Sequence, residues 1–351
     1  MTHHESGDTG TRQRPDERAP DGSSCGGILV NKRGSVLTFS VSACAAAALV
    51  AGFTAPASAA AVTPRATELG FAECAYDINE RGVIVLETAL LRNGRAEALP
   101  GGLTTGALVN NRGHVVGTVD GQPALWNGTE TVLITPVAPE DTYAYVTAIN
   151  ERGDVVGTSA QFNGPSRAFL RTREGVVTVL SEAGVSAGAN GLNDRGQVVG
   201  YVVEDGLQVA VRWERDGTMT RLAPLAGGAG ALADDVNDNG QVVGYSYDAS
   251  GSGRMHAVRW TASDRVESLD PVGTAIAGAV DVNRYGRVVG SLALDGSGQQ
   301  AFVRDKSGPT KVVPVSQEGR AELLTAVNDY GWAVGCSYGD LDEASALLWR
   351  S

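Results

Sequence analysis

Lysine is nearly missing from this chain. Three occur in 351 residues, Lys32, Lys306 and Lys311, and all Lys and Arg together number 28 against 40 Asp and Glu. The formal net charge of −12 is the wrong sign for neutralising a phosphate backbone, which excludes nucleic acid as a partner. Proline is held to 13 residues while glycine reaches 46 and hydrophobic residues 42%. That balance excludes a wholly disordered chain and suits a globular one rich in turns. No segment has convincing helical periodicity, so no glycine-rich phosphate loop opens a helix, the glycines read as turn residues, and no cofactor motif is present. Histidine is confined to four positions. Of these, His114 and His256 fall among the repeats described below, His114 in a slot that reads as an outward strand position. Neither has an identifiable Ser or Cys partner, so no hydrolase triad and no catalytic residue is assigned.

What the chain does have is one stretch used again and again. Asp235-Val236-Asn237-Asp238-Asn239-Gly240-Gln241-Val242-Val243-Gly244 sets the unit: an apolar residue, Asn-x-x-Gly, then x-Val-Val-Gly. Its Asn–Gly pairs are Asn79 with Gly82, Asn110 with Gly113, Asn150 with Gly153, Asn193 with Gly196, Asn237 with Gly240, Asn283 with Gly286, and Asn328 with Gly331. Asn favours the first position of a type I turn, where its side chain reaches backbone N–H groups two or three residues on. Gly three positions later supplies the left-handed residue that joins two antiparallel strands through a bulge. The pair between them reads as free to vary. Strand, tight structural turn, strand is the expectation.

The N-terminal region differs. Residues 1–29 are polar and expected to be disordered. Lys32-Arg33, the apolar run from Val36 to Phe53 and the small-residue site Ala57-Ser58-Ala59 read together as a secretory signal peptide over 30–59, with translation beginning near Val30. Cleavage leaves a mature domain over 60–351, secreted and without a stable membrane span. A retained anchor and lipidation at Cys44 are the alternatives; the run is short for an anchor, and the residues after Cys44 stay apolar.

Spacing sets the architecture. The steps from Asn to Asn are 31, 40, 43, 44, 46 and 45 residues, and periods of this size with several short strands belong to propeller blades. A third strand follows each hairpin, as in Ala168-Phe169-Leu170-Arg171, and a fourth segment alternates apolar residues, as in Met219-Thr220-Arg221-Leu222. The last unit stops at Trp349-Arg350-Ser351 without a fourth strand, while Arg65 to Gly70 precedes the first unit where one would sit. The expected fold is all-β, a seven-bladed propeller whose N-terminal strand completes the last blade. The shortened first repeat leaves six blades open. Cys74 and Cys336 remain after cleavage, and in an exported chain they suggest one disulfide joining the ends. Two buried unpaired thiols are the alternative.

The Asn-x-x-Gly-x-Val-Val-Gly motif with its downstream x-Ala-Phe strand resembles the HAF repeat of bacterial extracellular proteins. The strand that names it stands here as His256-Ala257-Val258, Arg167-Ala168-Phe169 and Gln300-Ala301-Phe302. The resemblance covers roughly residues 75–351. Leu86 replaces the second Gly in the first repeat, and no unit carries the full His-Ala-Phe. Export and repeat structure are what this resemblance implies, with no agreed reaction.

Two further features bear on chemistry. Asp235-x-Asn237-x-Asn239-Gly240 matches the start of a calcium loop, yet the position eleven after Asp235 is Ser246, so the bidentate acid is missing and no metal is assigned. Asp77, Asp235 and Asp281 share one register, two before an Asn, and read as braces of the turn or as residues that line the channel with water. Loops between second and third strands vary in length and content, and variable loops on a rigid scaffold are where binding resides. They carry Glu204, Asp205, Asp248, Asp295, Asp340, Asp342 and Glu343, so a cationic or glycan ligand is expected on that face. The reading is a monomeric, non-enzymatic binding or scaffold module outside the cell. The alternative is an extracellular glycan-active hydrolase or lyase, which needs a carboxylate pair in a concave pocket with one raised pKa.

Overall fold

The computed structural model describes residues 25–30, 36–41 and 66–350, apart from 163, 250–252, 271–273, 295–297, 315, 318–319 and 340–342. Cys25–Val30 and Val36–Val41 pair with each other as a separate two-stranded sheet. The rest of the segment read as a signal peptide, with its small-residue site, lies outside the described residues. Among those that are described, no helix is long and apolar enough to cross a membrane.

From Ala66 onward, the described chain forms seven four-stranded antiparallel units in sequence order. Five stand as separate sheets, and two are joined into one by a single bridge between Met255 and Ile276. The fourth unit is typical: Ala187–Leu192, Val198–Glu204, Leu207–Trp213 and Met219–Arg221, each pairing with the next. In the seventh, Ala321–Val327, Ala333–Tyr338 and Ala344–Trp349 are completed from the other end of the chain. Thr67 lies opposite Leu348 and Glu68 opposite Leu347.

The turns form as their residues dictate. All seven glycines have positive φ, from 71° to 89°. In the first turn Gly82 N donates to Asn79 O at 3.0 Å, and Asn79 Oδ1 accepts from Arg81 N and Val83 N, both at 3.0 Å. The side chain therefore serves N–H groups two and four residues on, where two and three were expected. The bulge puts the fourth N–H, not the third, back over the Asn, because the third is spent on the turn.

The Asn amide nitrogen turns outward, to the neighbouring unit. Asn79 Nδ2 donates to Asn110 O (3.0 Å), Asn110 to Asn150 O (3.0 Å), Asn150 to Asn193 O (3.4 Å) and Asn193 to Asn237 O (3.0 Å). Asn237 then donates to Asn283 O (2.9 Å), Asn283 to Asn328 O (2.9 Å) and Asn328 to Asn79 O (3.1 Å). A second layer uses the bulge in each innermost strand. There Thr147 Oγ1 donates to Ala189 O, Asn190 Nδ2 to Ala233 O and Thr325 Oγ1 to Ala75 O, at 2.8–2.9 Å. The bulge also explains the second Gly of the motif. A Cβ at Gly200 would sit 2.0 Å from Gly188 O, and one at Gly335 would sit 1.9 Å from Leu323 O.

The core lies between units, where small and β-branched residues pack with leucines and with fully buried aromatics such as Trp213, Trp260, Phe169 and Phe302. Ala75, Ile78, Ile84, Leu86 and Leu91 of the first unit pack with Ala326, Val334 and Ala346 of the last. Cys74, immediately before the innermost strand of the first unit, is bonded to Cys336 of the last, with 4.9 Å between Cα atoms.

Candidate functional site

The pair inside each turn is not free. Its first member is Glu80, Asn111, Glu151, Asp194, Asp238, Arg284 or Asp329, and each acid or amide accepts the backbone N–H of its counterpart in an adjacent unit. Glu80 N donates to Asn111 Oδ1 at 2.7 Å, Asn111 N to Glu151 Oε1 at 3.0 Å, and Glu151 N to Asp194 Oδ1 at 2.9 Å. Asp194 N donates to Asp238 Oδ1, Arg284 N to Asp329 Oδ1, and Asp329 N to Glu80 Oε2, each at 2.9 Å. The series breaks at Arg284, whose guanidinium has no acceptor atom. Asn239 Nδ2 bonds to Arg284 O there instead, at 2.6 Å.

These side chains surround a cavity of about 520 Å³ on the turn face. The second member of each pair is Arg in four successive units (Arg81, Arg112, Arg152, Arg195), then Asn239, Tyr285 and Tyr330. The two tyrosines line the cavity and are 60% and 70% exposed. The Arg284 guanidinium lies 5.1 Å from the Tyr285 ring centroid, and its Nε is 3.1 Å from Asp329 Oδ2.

Burial, and after it the crowding of carboxylates, shows in their protonation. Burial, with the Asp329 charge adding to it, raises the Glu80 pKa from 4.5 to about 7. Glu151 and Asp194 are also raised, burial being the largest cause in each. A carboxyl raised in the folded state holds its proton more tightly there than in the unfolded chain. Folding therefore gains from it as pH falls through 7, and loses above 7, where both states are ionised. Glu80→Gln keeps an acceptor for Asp329 N and removes the charge. The variant is expected to be more stable than the parent by roughly 1–2 kcal/mol above pH 7, the gain vanishing below pH 4.5. Thermal melts across that range check it, and a gain independent of pH would contradict it.

The register-sharing aspartates are braces, across units. Asp77 Oδ2 accepts Val109 N (2.9 Å), Asp235 Oδ2 accepts Val282 N (3.1 Å) and Asp281 Oδ2 accepts Val327 N (2.7 Å). In the calcium-like stretch, Asn237 Oδ1 accepts Asn239 N and Gln241 N, both at 3.0 Å. Those oxygens face backbone donors. Among the described residues no group of three or more His, Cys, Asp or Glu is placed to hold a metal ion.

The acids of the variable loops are dispersed. Glu204 is paired to Arg221 Nη2 at 2.6 Å, and Asp205 (φ 50°) with Gly206 (φ 78°) makes a tight turn. Asp248 Oδ1 lies 3.1 Å from His256 Nε2, whose Nδ1 is 2.6 Å from Asp270 Oδ2. Burial lowers the His256 pKa, but the two carboxylates outweigh it and the net shift is upward. Asp295, Asp340 and Asp342 lie outside the described residues. Glu343 lines a cleft of about 650 Å³ at the seam between first and last units, with Glu73, Glu87, Tyr76 and Tyr338 beside the disulfide. His114, expected to point outward from a strand, is half-buried at the turn exit, its Nδ1 3.2 Å from Asn110 Nδ2. It covers Gly153 of the next unit. The slot faces the neighbouring turn, so packing between units fills it.

No protein-family model and no curated protein sequence matches the chain. Solved structures do resemble it. An oligogalacturonate lyase in complex with manganese is 14% identical, covering 83% of this chain and 94% of its own, with a TM-score of 0.56. A virginiamycin B lyase from Staphylococcus aureus is 10% identical over 82% of this chain and 99% of its own, at 0.53. A streptogramin B lyase is 12% identical over 82% and 97%, at 0.52. At such identities the likeness carries the fold alone. That fold is a β-propeller.

Proposed function

We propose that the protein is an exported, monomeric binding or scaffold module, a seven-bladed propeller of HAF-type repeats closed by its N-terminal strand. The observation that carries the ring is the series of Asn amide bonds, in which the seventh, from Asn328, returns to Asn79 O. Such a body holds its variable loops rigidly, and those loops are the docking face for a cationic or sugar-like partner. The seam cleft with Glu73, Glu87 and Glu343 supports acidity on that face. The Cys74–Cys336 bond is compatible with an oxidising, extracellular setting. Material recovered from the medium is expected to begin at or near Ala60; N-terminal sequencing that starts before Cys44, or at a lipid-modified Cys44, counts against export in this form.

A screen of cationic peptides, oligosaccharides and metal ions against the domain from Ala60 tests binding. A true ligand at a hundred times its Kd stabilises by about 2.7 kcal/mol, well visible in a melt. Neutralising Glu204, Asp205, Asp248 and Asp342 together is expected to weaken a cationic partner without unfolding the ring. Unchanged affinity in that variant places docking elsewhere.

One observation favours a second reading, an extracellular glycan-active hydrolase or lyase. Glu80, raised to about 7, stands beside Asp329 in a concave cavity, and a carboxyl poised near neutrality is suited to general acid–base work. Its oxygens are engaged by Asp329 N, which suits a brace better than a catalyst. Turnover of any oligosaccharide, lost in Glu80→Gln, would establish the enzyme.

A further inference from the structure

In a repeat protein, what the fold requires recurs in every unit, so a departure confined to neighbouring units marks something the fold does not require. The turn face carries one such departure. Where the first four turns place Arg, the last two place Tyr285 and Tyr330, and where every other turn places an acid or amide, the sixth places Arg284. These changes adjoin in space. Arg284 stacks on Tyr285 and pairs with Asp329, Tyr330 follows Asp329 in the chain, and Asp329 N donates to Glu80. The result is one arc around a cavity of about 520 Å³, with aromatic rings at 60% and 70% exposure and both donors and acceptors between them.

We infer that this arc is a binding site for an uncharged glycan, with Tyr285 and Tyr330 as stacking platforms and Arg284, Asp329 and Glu80 bonding to sugar hydroxyls. A pyranose presents a face of C–H groups, which an aromatic ring covers, and an edge of hydroxyls, each able to donate and to accept. Few groupings match both, and pockets that do so combine apolar walls with a small number of placed polar groups. Charge narrows the class. The carboxylates around the cavity repel a polyanionic sugar, and Arg284 over Tyr285 repels a cation seeking that ring. A neutral sugar suffers neither.

This site rests on the reading of the protein as a binding module but lies on the opposite face from the variable loops, so the two can fail separately. The test uses the domain from Ala60 with cellohexaose, mannohexaose, xylohexaose and galactohexaose, and polygalacturonate as the anionic arm, followed by calorimetry and tyrosine fluorescence. The variant is Tyr285→Asn/Tyr330→Asn, which places at both turns the residue the fifth turn already carries as Asn239. At least one neutral hexasaccharide is expected to bind, and the variant to weaken it tenfold or more with an unchanged melting temperature. Binding of polygalacturonate alone, no binding of any neutral probe, or a neutral probe indifferent to the variant each overturns the inference. Cationic-peptide binding with no glycan binding would sink this site and leave the module standing. Cleavage of a bound hexasaccharide would sink the non-enzymatic reading and leave the site standing.

Discussion

Replacing Cys74 and Cys336 together by Ala is expected to lower the melting temperature by roughly 10 °C. The bond closes 262 residues of sequence separation. In the chain-entropy account, a loop of that size restricts the unfolded chain by about 5 kcal/mol as a ceiling, and each kcal/mol moves the midpoint of a domain this large by about 2–4 °C. The native seam survives the change, because Thr325, Asn328 and Asp329 still bond across it. Most of the effect therefore falls on the unfolded state. Calorimetry of the double variant beside the oxidised parent measures it, and a difference under about 2 °C would mean that the bond hardly restrains the unfolded chain. Reducing the parent should reproduce the variant's midpoint.

The repeat unit made much of this fold legible. Asn and Gly at a fixed interval can serve few geometries other than a bulged turn, and the third-strand segments such as Ala168–Arg171 could be marked because alanine recurs where sheets touch. The pairing of Thr67 and Glu68 with Leu348 and Leu347 was visible as a missing strand at one end and a surplus segment at the other. What the sequence hid was the partner of every long-range hydrogen bond. Asn79 and Asn110 carry the same motif, and nothing in either says that one amide meets the other's carbonyl. The second Gly looked like a turn residue, yet it is a gap left for the carbonyl of a bulged strand.

The candidate site was less legible for the same reason. Glu80, Glu151, Asp194, Asp238 and Asp329 read as exchangeable surface acids at a variable position, whereas each is an acceptor for a neighbouring turn. A column of acids and amides interrupted once, by Arg284, was the available signal. In the loops, acidity was visible but pairing was not. The carboxylate of Glu204 is held by Arg221, seventeen residues on across the sheet, and Asp248 by His256.

The return of the Asn series from Asn328 to Asn79 predicts a specific cost for one oxygen atom. Asn79 and Asn328 are both buried, and each amide nitrogen donates to the carbonyl of the adjoining turn, Asn110 O and Asn79 O respectively. Exchange of either Asn for Asp keeps the Oδ1 acceptor for its own turn and sets an oxygen against that carbonyl. An unsatisfied buried polar group costs about 1–3 kcal/mol, and more when charged. Asn79→Asp and Asn328→Asp are therefore each expected to lose roughly 2–4 kcal/mol at pH 7, and to lose similar amounts. The introduced carboxyl, buried and facing a carbonyl, has its folded pKa raised, and in its protonated form it can donate the missing bond. Folding then recovers as pH falls through that raised value, so both variants approach the parent in acid. Were the first and last units apart in solution, Asn79 O would be hydrated and Asn328→Asp nearly neutral, while Asn79→Asp, inside the array, would keep its full cost. Chemical denaturation of the two variants at pH 7 and pH 4 separates these outcomes.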